Sequence, residues 1–332
     1  MRLENILALT HGKLVSKPFV SNFENIIFDA KDIKRGDLFV AFDETSIQDA
    51  IFNGAYGILF DKPTQITDSE IAWIKVQEIQ TAIKRLLRFK LIEKEVQVYE
   101  CNEIILKLAL QVVTEPNFIA ISGDSDASCQ RLWNIEPKST LLFSPEISSS
   151  DMYADSKTLP KTAMMPITIM EQTLFETSFI YNDVFYERQL ISPFFIPYLE
   201  ELLHLFTTLK INFRLRKFTP IEHFEAVFTN KKFEVKEFGT SDKVLIFEKN
   251  ASLIASEVEY LQKSASWANV IYIIPALYAK ELKENENTFT YRHEREIRGI
   301  LQKNSFHFAL IAGVDKKILT RPLLLEEQPT LF

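Results

Sequence analysis

Three apolar runs near the C-terminus, Val244–Phe247, Val270–Ile274 and Phe308–Ala312, are separated by helical patterns at Leu253–Gln262 and Arg292–Gln302. Strands joined by helices of that length predict parallel βαβ units, which restricts this part of the chain to an α/β sheet. Residues 1–90 alternate in the same manner. A helix at Leu3–Leu9 is followed by an extended Asn25–Phe28, a turn at Lys34–Asp37 and a strand at Leu38–Phe42. A helix over Ser46–Asn53, strands at Ile58–Phe60 and Trp73–Val76, and helical spacing over Thr81–Leu91 complete a small α/β domain.

The middle of the chain is less regular. Val96 to Ser122 reads as strand or helix and closes on a buried strand, Phe118–Ser122, whereas Ser144–Lys157 is rich in hydroxyls and acids and reads as loop. Strands are expected at Thr177–Tyr181, Val184–Gln189 and Leu190–Ile191, with a hairpin at Asn182 and Asp183. Pro197–Leu209 is an amphipathic helix whose buried stripe is Leu199, Leu202, Leu203 and Phe206. The tail from Arg321 carries no pattern that assigns it an element.

The segment Asn117–Arg131 stands where a nucleotide-binding protein places its phosphate loop: strand, glycine, turn, helix start. Such a loop needs glycines whose N–H groups curl around the anion, a lysine for the terminal phosphates and a Ser/Thr hydroxyl for magnesium. Here Gly123 is the single glycine, Asp126 holds the second glycine's position and Ala127 the lysine's. Asp124 and Asp126 add negative charge where a polyphosphate would sit. Ser128 is a stand-in for the magnesium hydroxyl or, more plainly, a helix cap. The whole chain has 8 glycines, against roughly 23 at ordinary usage, so close backbone approach to phosphates is scarce throughout.

A formal charge of -7 argues against nucleic acid as the main partner. The first residues meet Glu4, His11 and Lys13 too early for a signal-peptide core, no run is long enough for a membrane span, and the cytoplasm is the expected compartment. Cys101 and Cys129 show neither metal spacing nor a disulfide framework, and the histidines His11, His204, His223, His293 and His307 lie at no ligand spacing. No metal is expected. Arg292, Arg295 and Arg298 share a helical face beside Glu294 and Glu296, which reads as a solvated surface or, alternatively, a phosphate-binding or interface face.

Phe28–Phe42, with its run Gly36-Asp37-Leu38-Phe39-Val40-Ala41, and then Phe52–Leu59 with Gly54-Ala55, resembles the N-terminal domain of the Mur ligases. MurF, which adds D-Ala-D-Ala to a UDP-MurNAc-tripeptide, is the branch it is most similar to. The Gly123 turn falls where that family carries its ATP loop. Val244–Ala251 resembles the C-terminal strand and its Asp-Asp-Ser-Tyr-Asn-Ala-Asn segment, and Ile311–Asp315 stands where the family has Lys-Gly-Ser. The resemblance implies an α/β fold of three parts: a MurF-like N-terminal α/β domain at 1–92, a reduced P-loop-like central domain at 93–235 and a Rossmann-like βαβ domain at 236–332.

Departures from the family pattern shape the functional expectation. In the tetrad that touches the uridine end of the precursor, Asp29 stays, Phe28 and Ala30 replace the hydroxyl residues and Lys31 replaces the arginine. Asp29 and Lys31 are then the candidate remnant of precursor binding. Asp43-Glu44-Thr45 runs into the next helix without the family's Asp-Gly-His, and neither the metal-binding glutamate nor the carbamylated lysine is recognisable. The expectation is a non-catalytic Mur ligase-like protein without catalytic residues or cofactor, acting through cell-wall synthesis partners. An ATP- and Mg-dependent amide ligase, a UDP-sugar or muropeptide binding module without turnover, and an unrelated α/β enzyme stay open beside it.

Overall fold

A computed structural model describes residues 1–123, 125–147, 152–153, 155–160, 166–215, 217–237, 241–278 and 287–319, without the side chain of residue 126. Asp124 and the tail from Arg321 lie outside the described residues. The chain packs as two compact units, Met1–Lys161 with Glu201–Arg214, and Thr162–Glu200 with Leu215–Phe332.

The first unit opens with α1 (Leu3–Thr10) and β1 (Lys13–Leu14), followed by β2 (Ile26–Ile27), β3 (Leu38–Val40), α2 (Thr45–Phe52), β4 (Gly57–Phe60), β5 (Ala72–Lys75) and α3 (Ile79–Glu93). Its sheet has the order β1-β5-β4-β3-β2, parallel except for the β1 edge. Because both faces are covered, these strands read as continuous apolar runs instead of alternating ones. Leu38, Val40, Leu59 and Ile74 point to the side of α1 and α3, whereas Phe39, Ile58, Phe60 and Trp73 pack with Ile47 and Ala50 of α2.

A second sheet, all parallel, has the order β7-β8-β6-β9 from β6 (Gln97–Glu100), β7 (Phe118–Ile121), β8 (Thr140–Phe143) and β9 (Lys157–Thr158), with α4 (Glu103–Val112) and α5 (Asp126–Trp133) as its crossovers. Asn102 starts α4 by accepting the Ile105 N–H at 2.9 Å. Val98, Ile119, Leu141 and Phe143 share one core with Ile83, Leu86 and Leu87 of α3, so a single apolar layer serves both sheets. Truncating Leu86 to alanine there should cost about 2–5 kcal/mol.

The second unit contains an antiparallel sheet, β10 (Thr168–Gln172), β11 (Thr177–Tyr181) and β12 (Val184–Gln189), in that order. The hairpin turn places Asn182 and Asp183 at φ values of 47° and 60°, a left-handed region that these two residue types tolerate. Leu190–Ile191 is not a strand. The chain leaves β12 at Gln189 and enters a turn at Pro193–Phe195, held by the Ser192 hydroxyl donating to the Leu174 carbonyl at 2.7 Å. Then α6 (Ile196–Leu209) begins, with Leu199, Leu202, Leu203 and Phe206 fully buried as its spacing predicts.

The remaining sheet has the order β13-β14-β17-β15-β16, from β13 (Glu225–Thr229), β14 (Lys243–Glu248), β15 (Val270–Pro275), β16 (Thr288–Tyr291) and β17 (Phe308–Ala312). Its helices are α7 (Ile254–Ser264) and α8 (Arg295–Lys303). The parallel pairing expected from the run and helix spacing holds for β14, β17 and β15, while β16, which the sequence reading does not mark, adds a parallel edge and β13 an antiparallel one.

Candidate functional site

The turn after β7 is built from one left-handed residue and one cap. Gly123 has a φ of 94°, and a Cβ there would approach only the Ile147 carbonyl, at 3.9 Å. Glycine is therefore required by the backbone angle and not by crowding. Ser125 caps α5: its hydroxyl accepts the Ser128 N–H at 3.3 Å and lies 3.0 Å from the Ser128 hydroxyl. The cap is thus Ser125, and not Ser128 as the sequence suggests. Ser128, third in the helix, gives its N–H and ties its side chain to the cap. Asp126 is the first residue of α5, and Ala127 follows it on the exposed side.

Ala127, Gln130, Arg131 and Asn134 recur at helical spacing, and they line a cleft of about 730 Å³ together with the turn Phe28–Asp32 and the start of α2. This places Ala127 in one cleft with Asp29 and Lys31, residues separated by about a hundred positions in sequence. Gln130 holds the two sides in register, because its side-chain oxygen accepts the Phe28 N–H at 3.1 Å. Its amide nitrogen is buried without a partner.

Asp29 acts locally: its carboxylate accepts the Lys31 N–H at 3.0 Å and caps the short turn Ala30–Asp32. Asp43 caps α2 by accepting from the Thr45 hydroxyl at 2.7 Å and from the Ser46 N–H at 3.0 Å. The Thr45 hydroxyl, followed by the Ser46 N–H, holds the Asp43 carboxyl below the usual carboxylate range. Four carboxylates, Asp29, Asp32, Asp43 and Asp49, face the cleft with two cations, Lys31 and Arg131. Phe28, Phe39 and Phe42 provide its apolar wall. The sequence reading misses Gln130, Arg131, Asn134 and Asp49; the spacing 127, 130, 131, 134 is the helical signal that links the first three, whereas Asp49 reaches the cleft from α2.

Arg292, Arg295 and Arg298 lie in the second unit and are exposed. They do not share one helical face, because α8 begins at Arg295. Arg292 precedes it, and its N–H donates to the Glu296 carboxylate at 3.0 Å. The helix keeps a narrow apolar stripe, Ile297 and Leu301.

Two solved ligase structures share this arrangement of parallel sheets. UDP-N-acetylmuramoylalanyl-D-glutamyl-2,6-diaminopimelate–D-alanyl-D-alanyl ligase from Acinetobacter baumannii matches with a TM-score of 0.50 at 9% identity, covering 96% of this chain and 97% of that one. A crystal structure of MurF from the same organism matches with a TM-score of 0.52 at 8% identity, covering 94% and 95%. The fold is that of the Mur ligases. At this identity the likeness concerns the Mur ligase fold alone. No family model matches the sequence, and no curated protein does. Among the described residues, no helix is long and apolar enough to cross a membrane.

Proposed function

We propose that this chain is a cytoplasmic Mur ligase-like protein without phosphoryl-transfer chemistry, serving peptidoglycan precursor synthesis by binding or scaffolding cell-wall synthesis proteins. The observation that carries the reading is the β7–α5 turn. Phosphoryl transfer depends on positioned donors and on cations that neutralise developing charge. The turn offers one glycine, an alanine at the lysine position and a Ser128 hydroxyl already engaged with Ser125. These residues do not fit ATP with magnesium. The test is phosphate release from MgATP in the presence of UDP-MurNAc-tripeptide and D-Ala-D-Ala. The expected rate equals the protein-free blank. Turnover that depends on the dipeptide would restore the amide-ligase reading, with ATP and Mg as its cofactors.

A second reading, precursor binding without turnover, is favoured by one feature: Asp29 and Lys31 still border an open cleft of about 730 Å³. Against a diphosphate stands its balance of four carboxylates to two cations. Titration with UDP-MurNAc-tripeptide separates the two readings, since micromolar affinity requires the second.

A further inference from the structure

Three ionisable side chains are buried together in the second unit. Glu248, the last residue of β14, and Glu257, on α7, are both fully buried, and His223 is 3% exposed. The Glu248 carboxylate is a hub. It accepts from His223 Nδ1 at 3.0 and 3.2 Å, from the Phe224 N–H at 3.1 Å and from the Asn250 N–H at 2.6 Å. It therefore ties the segment entering β13 to the loop leaving β14. Phe224 is held at a φ of 45°, a left-handed conformation that costs a bulky residue energy and persists only where its surroundings impose it.

Glu257 approaches the same carboxylate from α7, and neither of its oxygens makes a hydrogen bond of ordinary geometry. Two carboxylates in one dry site cannot both ionise, so one proton stays with the pair. Burial first, and then the Glu248 charge, push the Glu257 carboxyl well above the usual range. Burial opposes ionisation of Glu248 as well, but the hydrogen bond from His223 and the other contacts outweigh it and bring Glu248 below that range. The other charged groups around the hub have their own partners: Lys249 pairs with Asp315 at 3.1 Å and Lys316 with Glu225 at 2.7 Å, while Glu222 is exposed.

We propose that Glu248 and Glu257 form a proton-operated lock on the segment entering β13 and the loop after β14. With one proton in the pair the lock is closed. A second proton, taken up by Glu248 at low pH, turns one of its oxygens into a hydroxyl and weakens the charge-assisted hold on the Phe224 and Asn250 N–H groups. Loss of the first, from Glu257 at high pH, leaves two facing carboxylates. The loop so held, which runs through Asn250 into the turn Ala251–Leu253, stands at the C-terminal ends of β14 and β17. Open α/β sheets place their ligands outside those ends, so the lock controls the order of a segment suited to binding.

The signs follow from linkage. Glu257 is raised, so its contribution is full below the unfolded carboxylate value and is lost as pH rises through the folded one. Glu248 is lowered, so its contribution is present above the unfolded value and is lost as pH falls through the folded one. Hydrogen exchange of the full-length chain, corrected for intrinsic rates and followed from about pH 4 to pH 9, reads both sides. In the wild type, the amides of Phe224 and Asn250 should be most protected in the middle of that range. Glu257→Gln should remove the alkaline loss of protection, and Glu248→Gln should speed exchange at both amides roughly tenfold at neutral pH. Should either variant fail to fold, the wild-type profile still decides: protection that is flat across the range overturns the lock. So does an alkaline loss of the same size in Glu257→Gln.

Discussion

The Gln130 side-chain oxygen accepts the Phe28 N–H at 3.1 Å, joining the helix after the glycine turn to the residue that follows β2. This single bond spans 102 positions in sequence and sets the two walls of the cleft. Removing it by Gln130→Ala leaves a half-buried backbone donor without its acceptor. The expected loss is about 1–3 kcal/mol, measured by urea unfolding, together with faster exchange of the Phe28 amide. An unchanged midpoint would show that the bond does not hold the cleft.

The cap of α5 gives a second expectation. Ser125→Ala removes the acceptor of the Ser128 N–H and should cost about 1 kcal/mol. Ser128→Ala keeps that N–H and loses only the contact between hydroxyls, so its effect on the unfolding midpoint should be the smaller of the two. The reverse order would assign the cap to Ser128.

Gly313 is required on two counts. Its φ is 81°, and an added Cβ would lie 2.7 Å from Pro275 Cγ and 2.9 Å from the Tyr291 hydroxyl oxygen. Tyr291 is pinned in turn by donating to the Ala312 carbonyl at 2.6 Å, so it has little room to yield. Gly313→Ala should destabilise the second unit by about 1–3 kcal/mol. Calorimetric unfolding of the variant checks this.

Reversing Arg292, Arg295 and Arg298 to glutamate tests the proposed surface role. All three are exposed, so each change should alter stability by no more than about 0.5 kcal/mol. Pull-downs with purified cell-wall synthesis proteins should lose any partner that uses this surface. If every partner is kept, the proposed contact lies elsewhere.

The parts of the fold that could be read in advance are those where burial imposes a pattern. Leu199, Leu202, Leu203 and Phe206 announce α6, and the runs within β14, β15 and β17 announce parallel strands, because each is apolar on every face it buries. β10 is exposed along its whole length and therefore has no hydrophobic alternation to detect. β13, half-buried at an edge, and the four-residue β8 give signals too short to separate from loop. Ser125 and Ser128 both offer a hydroxyl near the start of α5, and only the backbone geometry shows that Ser125 is the cap. Asp29 and Ala127 were each marked, yet their shared cleft depends on a contact over a hundred residues that no local spacing encodes. His223, Glu248 and Glu257 are likewise brought together by the sheet and not by sequence proximity.

The central proposal is that the β7–α5 turn does not hold a nucleoside triphosphate. Thermal unfolding with increasing MgATP, alongside an active MurF ligase as control, tests it most directly. A ligand present at 100 times its dissociation constant stabilises a fold by about 2.7 kcal/mol. For this chain the predicted shift of the midpoint at millimolar MgATP is nil. A saturable, magnesium-dependent rise like that of the control would contradict the account.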